Sequence, residues 1–171
     1  MHGGTKKNWY FKSITYWLFN KAKCEVKLSS SQRQKGFDME DISYRDDITL
    51  SAEQLADVFR QSGIRRPVDD LPRLARMLEH AHLLITAWDG DELVGVARAL
   101  TDFSYCCYLS DLAVDKRYQH RGIGNALVER VRKAIGEQSM LLLLAAPEAM
   151  SYYPKIGFEA VANGWIIKRT A

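Results

Sequence analysis

The chain has 171 residues, 47% hydrophobic and 26% charged, with a formal net charge of +3. That is enough for one domain with its own core. The longest apolar run, Met140 to Ala146, is strand-sized and excludes a membrane-spanning helix by length.

The charge is unevenly placed. Residues 1–38 hold eight Lys/Arg against two Asp/Glu, and the remainder holds 16 against 19. Beyond residue 38 there is no basic stripe of the kind nucleic-acid binding needs, so no nucleic-acid partner is expected. The first 38 residues join an aromatic-rich stretch, "NWYFKSITYWLF", to a polar linker, "KLSSSQRQKG". They lack the clean apolar core and small-residue cleavage site of a signal peptide. They read as a basic extension outside the domain, which is expected over 39–171. A surface-lying amphipathic helix over Trp9 to Phe19, serving a membrane-associated adaptor, is the competing reading.

Ile42 to Asp47 reads as a first strand. Ser51 with Gln54 forms a capping box, and Leu50 with Leu55 the matching hydrophobic staple. Leu55, Val58 and Phe59 then share a helical face that Gly63 closes. A second helix is expected over Asp70 to Ala81, from the spacing of Leu71, Leu74, Ala75 and Leu78. The loop between them, "GIRRPVDD", carries the arginine pair Arg65 and Arg66, which reads either as a grip for a carboxylate or as a solvated turn. "LLITAWDGDELVGVARAL" reads as two strands turned at Asp89-Gly90-Asp91, and Tyr105 to Val114 as a third.

A helix follows with Ile123, Leu127, Val131 and Ile135 inward and Glu129, Arg130, Arg132 and Lys133 outward. Met140 to Ala146 reads as a buried strand, "AMSYYPKIGF" as a short helix ending at Gly157, and "EAVANGWIIKR" as one or two closing strands. The order points to an α/β mixed sheet with helices on both faces.

Three cysteines, two of them adjacent (Cys106 and Cys107), make no disulfide framework and favour a reducing, cytoplasmic setting. There is no CxxC and no HExxH, and no metal is expected.

Gly122 and Gly124 in "YQHRGIGNAL" carry the chemistry. No lysine and hydroxyl follow as in a Walker loop, and Leu127 stands where a dinucleotide fingerprint has its third glycine. Two readings stay open on spacing alone. One is a turn that needs glycine dihedrals. The other is an anion cradle at a helix start, where N–H groups lack partners and the dipole is positive. Lys116, Arg117 and Arg121 add positive charge nearby.

The stretch "LAVDKRYQHRGIGNALV" resembles the acetyl-CoA-binding motif of the Gcn5-related N-acetyltransferases (GNAT), with Gln119, Gly122 and Gly124 in its Q/R-x-x-G-x-G/A pattern. About thirty residues on, "YPKIGF" is similar to the family's Y-x-x-x-G-F, with Ala149 four residues before Tyr153. The resemblance covers roughly 42–171. It implies a GNAT-like acyl-CoA N-acyltransferase fold: a mostly antiparallel central sheet whose strands bulge and splay, with helices on both faces. It further implies acetyl-CoA as acyl donor and direct attack by a primary amine, of a small molecule or a protein, in a ternary complex.

The resemblance puts the pantetheine against Leu112, Ala113 and Val114. It puts the pyrophosphate on Gln119, His120, Arg121, Gly122, Ile123, Gly124, Asn125 and Ala126. Tyr153 would be the general acid for the departing thiolate. Asp111 resembles the acidic position of the family's polyamine acetyltransferases, as base or as anchor for the acceptor ammonium. The resemblance also allows a homodimer. One departure is Ala146, where the family often has an asparagine seven residues before the tyrosine. The alternative function is a non-catalytic CoA-binding regulatory domain, which would have no chemical reason to keep the Tyr153 phenol.

Overall fold

A computed structural model describes residues 42–170; the extension expected over 1–38, and any helix within it, lies outside the described residues. Five strands form one sheet in chain order: β1 (Ser43–Arg45), β2 (Leu83–Asp89), β3 (Glu92–Thr101), β4 (Cys106–Val114) and β5 (Met140–Leu142). The first three pairings are antiparallel, and β4 with β5 is parallel.

The helices start where the local chemistry dictates. Helix α1 (Ala52–Ser62) carries both halves of its capping box: Ser51 Oγ accepts from the Gln54 amide, and Gln54 Oε1 accepts from the Ser51 amide at 2.9 Å. Gly63, at φ 78°, ends it. Helix α2 (Leu71–Glu79) is capped by Asp70, which accepts from the Arg73 amide at 3.0 Å. It stops two residues short of the expected Ala81. His82, just beyond it, accepts from the Thr101 amide through Nδ1, which fixes this histidine as a support for β3.

Helix α3 (Ile123–Ile135) lies on one sheet face. It buries Ile123, Leu127, Val128, Val131 and Ile135 against Ile85, Val94, Ala97, Cys107 and Leu109. Helices α1 and α2 cover the other face, where Leu55, Val58, Phe59 and Leu74 meet Val96 and Ala113. At about 1.5–3 kcal/mol for each large side chain removed from water, these two layers are the main stabilising term.

A β-bulge in β4 decides what each end of that strand does. Arg98 pairs with Asp111 but Ala99 with Leu109, so Ser110 is the extra residue. Cys107 and Leu109 face α3, whereas Asp111 and Ala113 face the α1/α2 side. Without the bulge all four would point one way.

The C-terminal third departs from expectation. The strand expected over Met140 to Ala146 is three residues long, and none of its residues is fully buried. "AMSYYPKIGF" (149–158) forms no α-helix: its first residue ends a 3-10 turn, Pro147–Ala149, and a second turn, Tyr153–Ile156, lies within it, with Pro147 and Pro154 in their first turns. Proline removes a backbone donor and stops a helix from extending. Gly157 closes the second turn at φ 89°. Residues 159–170 form no strand: Trp165 and Ile167 are each 98% exposed. Apolar alternation alone makes no strand without a partner edge to satisfy its backbone groups. Among the described residues no helix is long and apolar enough to cross a membrane.

Candidate active site

Strands β4 and β5 pair only through Cys106–Met140, Cys107–Leu141 and Tyr108–Leu142. Beyond that point β4 runs on to Val114 while β5 ends, so Leu109 to Val114 keep β3 as neighbour and lose β5. The sheet therefore opens into a gap. Leu112, Ala113 and Val114 form one wall, and the start of α3 stands at its mouth.

That helix start differs from the other two. Its N-cap is Gly122, with no side-chain hydrogen bond to the first turn. The amides of Ile123, Gly124 and Asn125 are the first-turn donors that a helix leaves unpaired. Ala126, expected among the pyrophosphate contacts, is not free in this way: its N–H donates to the Gly122 carbonyl at 2.9 Å.

The two glycines serve different needs. Gly122 has φ 81°, a left-handed conformation that disfavours side chains, and a Cβ there would meet nothing within 4 Å. Gly124 leaves room for a neighbour: a Cβ would lie 2.8 Å from the Tyr152 hydroxyl oxygen, so that side chain would have to shift.

Other expected contacts do different work. Gln119 donates from Nε2 to the Val114 carbonyl at 2.9 Å and so ties the loop to the end of β4. His120 adopts φ 63°. Arg121 lies over the Tyr118 ring, 5.1 Å from its centroid. Arg117 is held by Asp115 at 2.6 Å and by Glu92. Lys116 leans on Gly63. Of the cations expected to enrich the cradle, Arg117 and Arg121 thus have partners elsewhere.

Asp111 is 1% exposed, with each carboxylate oxygen accepting from a different guanidinium: one from Arg66 Nε, the other from Arg98 Nε at 2.5 Å. Arg66 also donates to the Ser110 carbonyl at 2.7 Å and to the Arg65 carbonyl at 2.8 Å. Arg98 donates to Ser110 Oγ at 2.8 Å. A carboxylate held this way is the centre of a buried ion-pair network, not an open base, which corrects the expectation for Asp111. Arg66 is correspondingly neither a solvated turn residue nor a free carboxylate grip. Arg98 was missed in the sequence; its signal was a lone charge inside the apolar run "ELVGVARAL". Arg65 is exposed and pairs at 3.6 Å with Glu148, across from the loop after β5.

Tyr153 is half-buried, edge-on to Phe158 at 5.5 Å and to Tyr152 at 5.4 Å between centroids. Burial pushes its phenol above the usual value, and the Arg66 charge partly offsets this. Ala146, at the family's asparagine position, precedes the Pro147–Ala149 turn and offers its carbonyl to the Ala149 amide at 2.9 Å. Among the described residues no group of three His, Cys, Asp or Glu side chains is placed to hold a metal ion.

The class is therefore an α/β domain whose sheet opens between two strands, with an uncapped helix start at the mouth of the gap. Residues 52–165 match the family model described as an acetyltransferase (GNAT) domain, and the chain belongs to that family. It is 28% identical over 148 residues to a chloroplastic GCN5-related N-acetyltransferase of Arabidopsis thaliana, covering 70% of this chain and 56% of the relative. It is 29% identical over 113 residues to a histone acetyltransferase of Glycine max, covering 58% and 48%. The chain therefore spans about half the length of these relatives.

Among solved structures, a probable acetyltransferase of Staphylococcus aureus superposes with a TM-score of 0.64 at 25% identity, over 75% of this chain and all of that one. A GNAT-family N-acetyltransferase of Escherichia coli in complex with CoA superposes with a TM-score of 0.55 at 20% identity, over 69% and 68%.

Proposed function

We propose that this chain is an acetyl-CoA-dependent N-acetyltransferase that delivers the acetyl group to a primary amine. The observation that carries the reading is the coincidence of the β4/β5 gap with an uncapped α3 N-terminus that presents Ile123, Gly124 and Asn125 amides. Those amides suit a pyrophosphate, since they combine free donors with the positive end of the helix dipole. The unpaired side of Leu112 to Val114 suits the amides of a pantetheine arm. Bound acetyl-CoA would supply an activated thioester.

The protein's own part is then to hold, orient and move protons. Tyr153 keeps its proton at neutral pH, because burial raises the phenol above its usual ~10. It is the group proposed to protonate the leaving thiolate. Asp111 acts through Arg66 as a positioning residue, and the acceptor amine loses its proton by another route, to water or to a base on the acceptor itself. Retention of Tyr153 favours turnover over the regulatory alternative. As to compartment, Cys106 and Cys107 are both free thiols, which suits a reducing one, cytoplasm or plastid.

Acetyl-CoA should raise the melting temperature, by the equivalent of about 2.7 kcal/mol at a hundredfold excess over Kd. Thiol release from acetyl-CoA across polyamines, arylalkylamines, amino acids, aminoglycosides and peptides should reveal the acceptor class. The absence of both, with no melting shift at millimolar ligand and no thiol release with any amine, would refute the reading.

Tyr153→Phe should lower kcat by roughly a hundredfold or more, the usual size of a general-acid contribution, with coenzyme A affinity little changed. In the wild type the alkaline limb of kcat should lie above pH ~10, because a raised pKa keeps the acid protonated until then and activity falls only as pH rises through it. Wild-type turnover in the variant would remove Tyr153 from this role.

A further inference from the structure

The anion cradle at α3 has one wall that the family motif does not account for. The space that a side chain at Gly124 would fill is taken by Tyr152: a Cβ there would stand 2.8 Å from its hydroxyl oxygen and 3.6 Å from Cζ, with Val114 Cγ2 at 3.9 Å. Three elements thus meet at one point, namely the end of β4, the first turn of α3 and the turn after β5. Tyr152 reaches it because Tyr153 and Pro154 begin a tight 3-10 turn just behind it, and its ring rests edge-on against Tyr153.

Among the described residues nothing accepts a hydrogen bond from the Tyr152 hydroxyl. Packing alone would be served by phenylalanine. Burial and the neighbouring Tyr153 both push the phenol above its usual value, so it is a neutral donor at physiological pH. Two of the nearby cations are held elsewhere, Arg117 by Asp115 and Glu92 and Arg121 over the Tyr118 ring, and the Lys116 side chain lies against Gly63. Tyr152 is therefore the side-chain donor that stands against Gly124.

We propose that Tyr152 is a cofactor-binding residue whose hydroxyl donates to the pyrophosphate of coenzyme A beside the Gly124 amide. The inference rests on the cofactor reading above. It gives the two adjacent tyrosines separate tasks: Tyr152 binds at the phosphate end, and Tyr153 serves the thioester end. It also accounts for the glycine at position 124, since a Cβ there would displace the hydroxyl.

The test is Tyr152→Phe, which keeps the ring and its contact with Tyr153, so the melting temperature of the free protein should not change. Equilibrium titration with coenzyme A should show a Kd raised roughly tenfold, the effect of losing one hydrogen bond to a charged acceptor. Titration with pantetheine, which lacks the pyrophosphate, should show no difference between variant and wild type. An unchanged Kd for coenzyme A, or an equal loss for both ligands, would overturn the proposal and leave the cofactor reading standing. If the wild type itself binds coenzyme A no better than pantetheine, the cofactor reading fails and this proposal with it.

Discussion

Asp111→Asn should destabilise the protein by about 3–5 kcal/mol, read as a fall in the urea midpoint at constant m-value. The size follows from what is left behind. Arg98 is 5% exposed, and its counter-charge is the Asp111 carboxylate it shares with Arg66. An amide keeps the shape but offers one acceptor oxygen and no charge to two guanidinium groups. Removing one member of a buried ion network costs far more than the network contributes against an apolar replacement of the whole. A triple variant, Asp111→Leu with Arg66→Met and Arg98→Met, should accordingly recover most of the lost stability. A loss under about 1 kcal/mol in Asp111→Asn would mean the carboxylate does not carry this network.

Gly124→Glu should abolish coenzyme A binding, with Kd raised at least roughly a hundredfold, while the protein still folds. Bulk and negative charge would enter the turn whose free amides and dipole attract an anion. Folding should survive because the atom in the way is the far end of the Tyr152 side chain, which can swing aside, and not backbone. Gly124→Ala is the graded control: it displaces the hydroxyl without adding charge and should weaken binding less. Undiminished binding by folded Gly124→Glu would place the cradle elsewhere.

Features written within a few residues were legible in the sequence. Ser51 with Gln54 specified the start of α1, the glycine-rich stretch marked the start of α3, and the apolar periods assigned both sheet faces. Features that depend on a distant partner were not. The alternation in 159–170 looked like strand but finds no edge to pair with, and Met140 to Ala146 pairs over only three residues. A one-residue bulge at Ser110 reverses the facing of Asp111, and nothing local to β4 announces it. The two guanidinium partners that enclose Asp111 come from distant segments and were therefore not legible beside it in the sequence. The place of Tyr152 was not legible either, because Gly124 lies beside it only in space.

The Arg66 contact has a consequence for redesign. The loop between α1 and α2 touches the strand proposed to hold acetyl-CoA, so it is a place to vary in a search for new amine acceptors. Yet Arg66 from that loop is fastened to Ser110 and Asp111, four residues or fewer from the strand end proposed to hold the pantetheine arm. Grafting a foreign loop that omits Arg66 would unfasten the bulge that aims this strand. A library that fixes position 66 and randomises its neighbours would sample acceptor preference without disturbing the donor side.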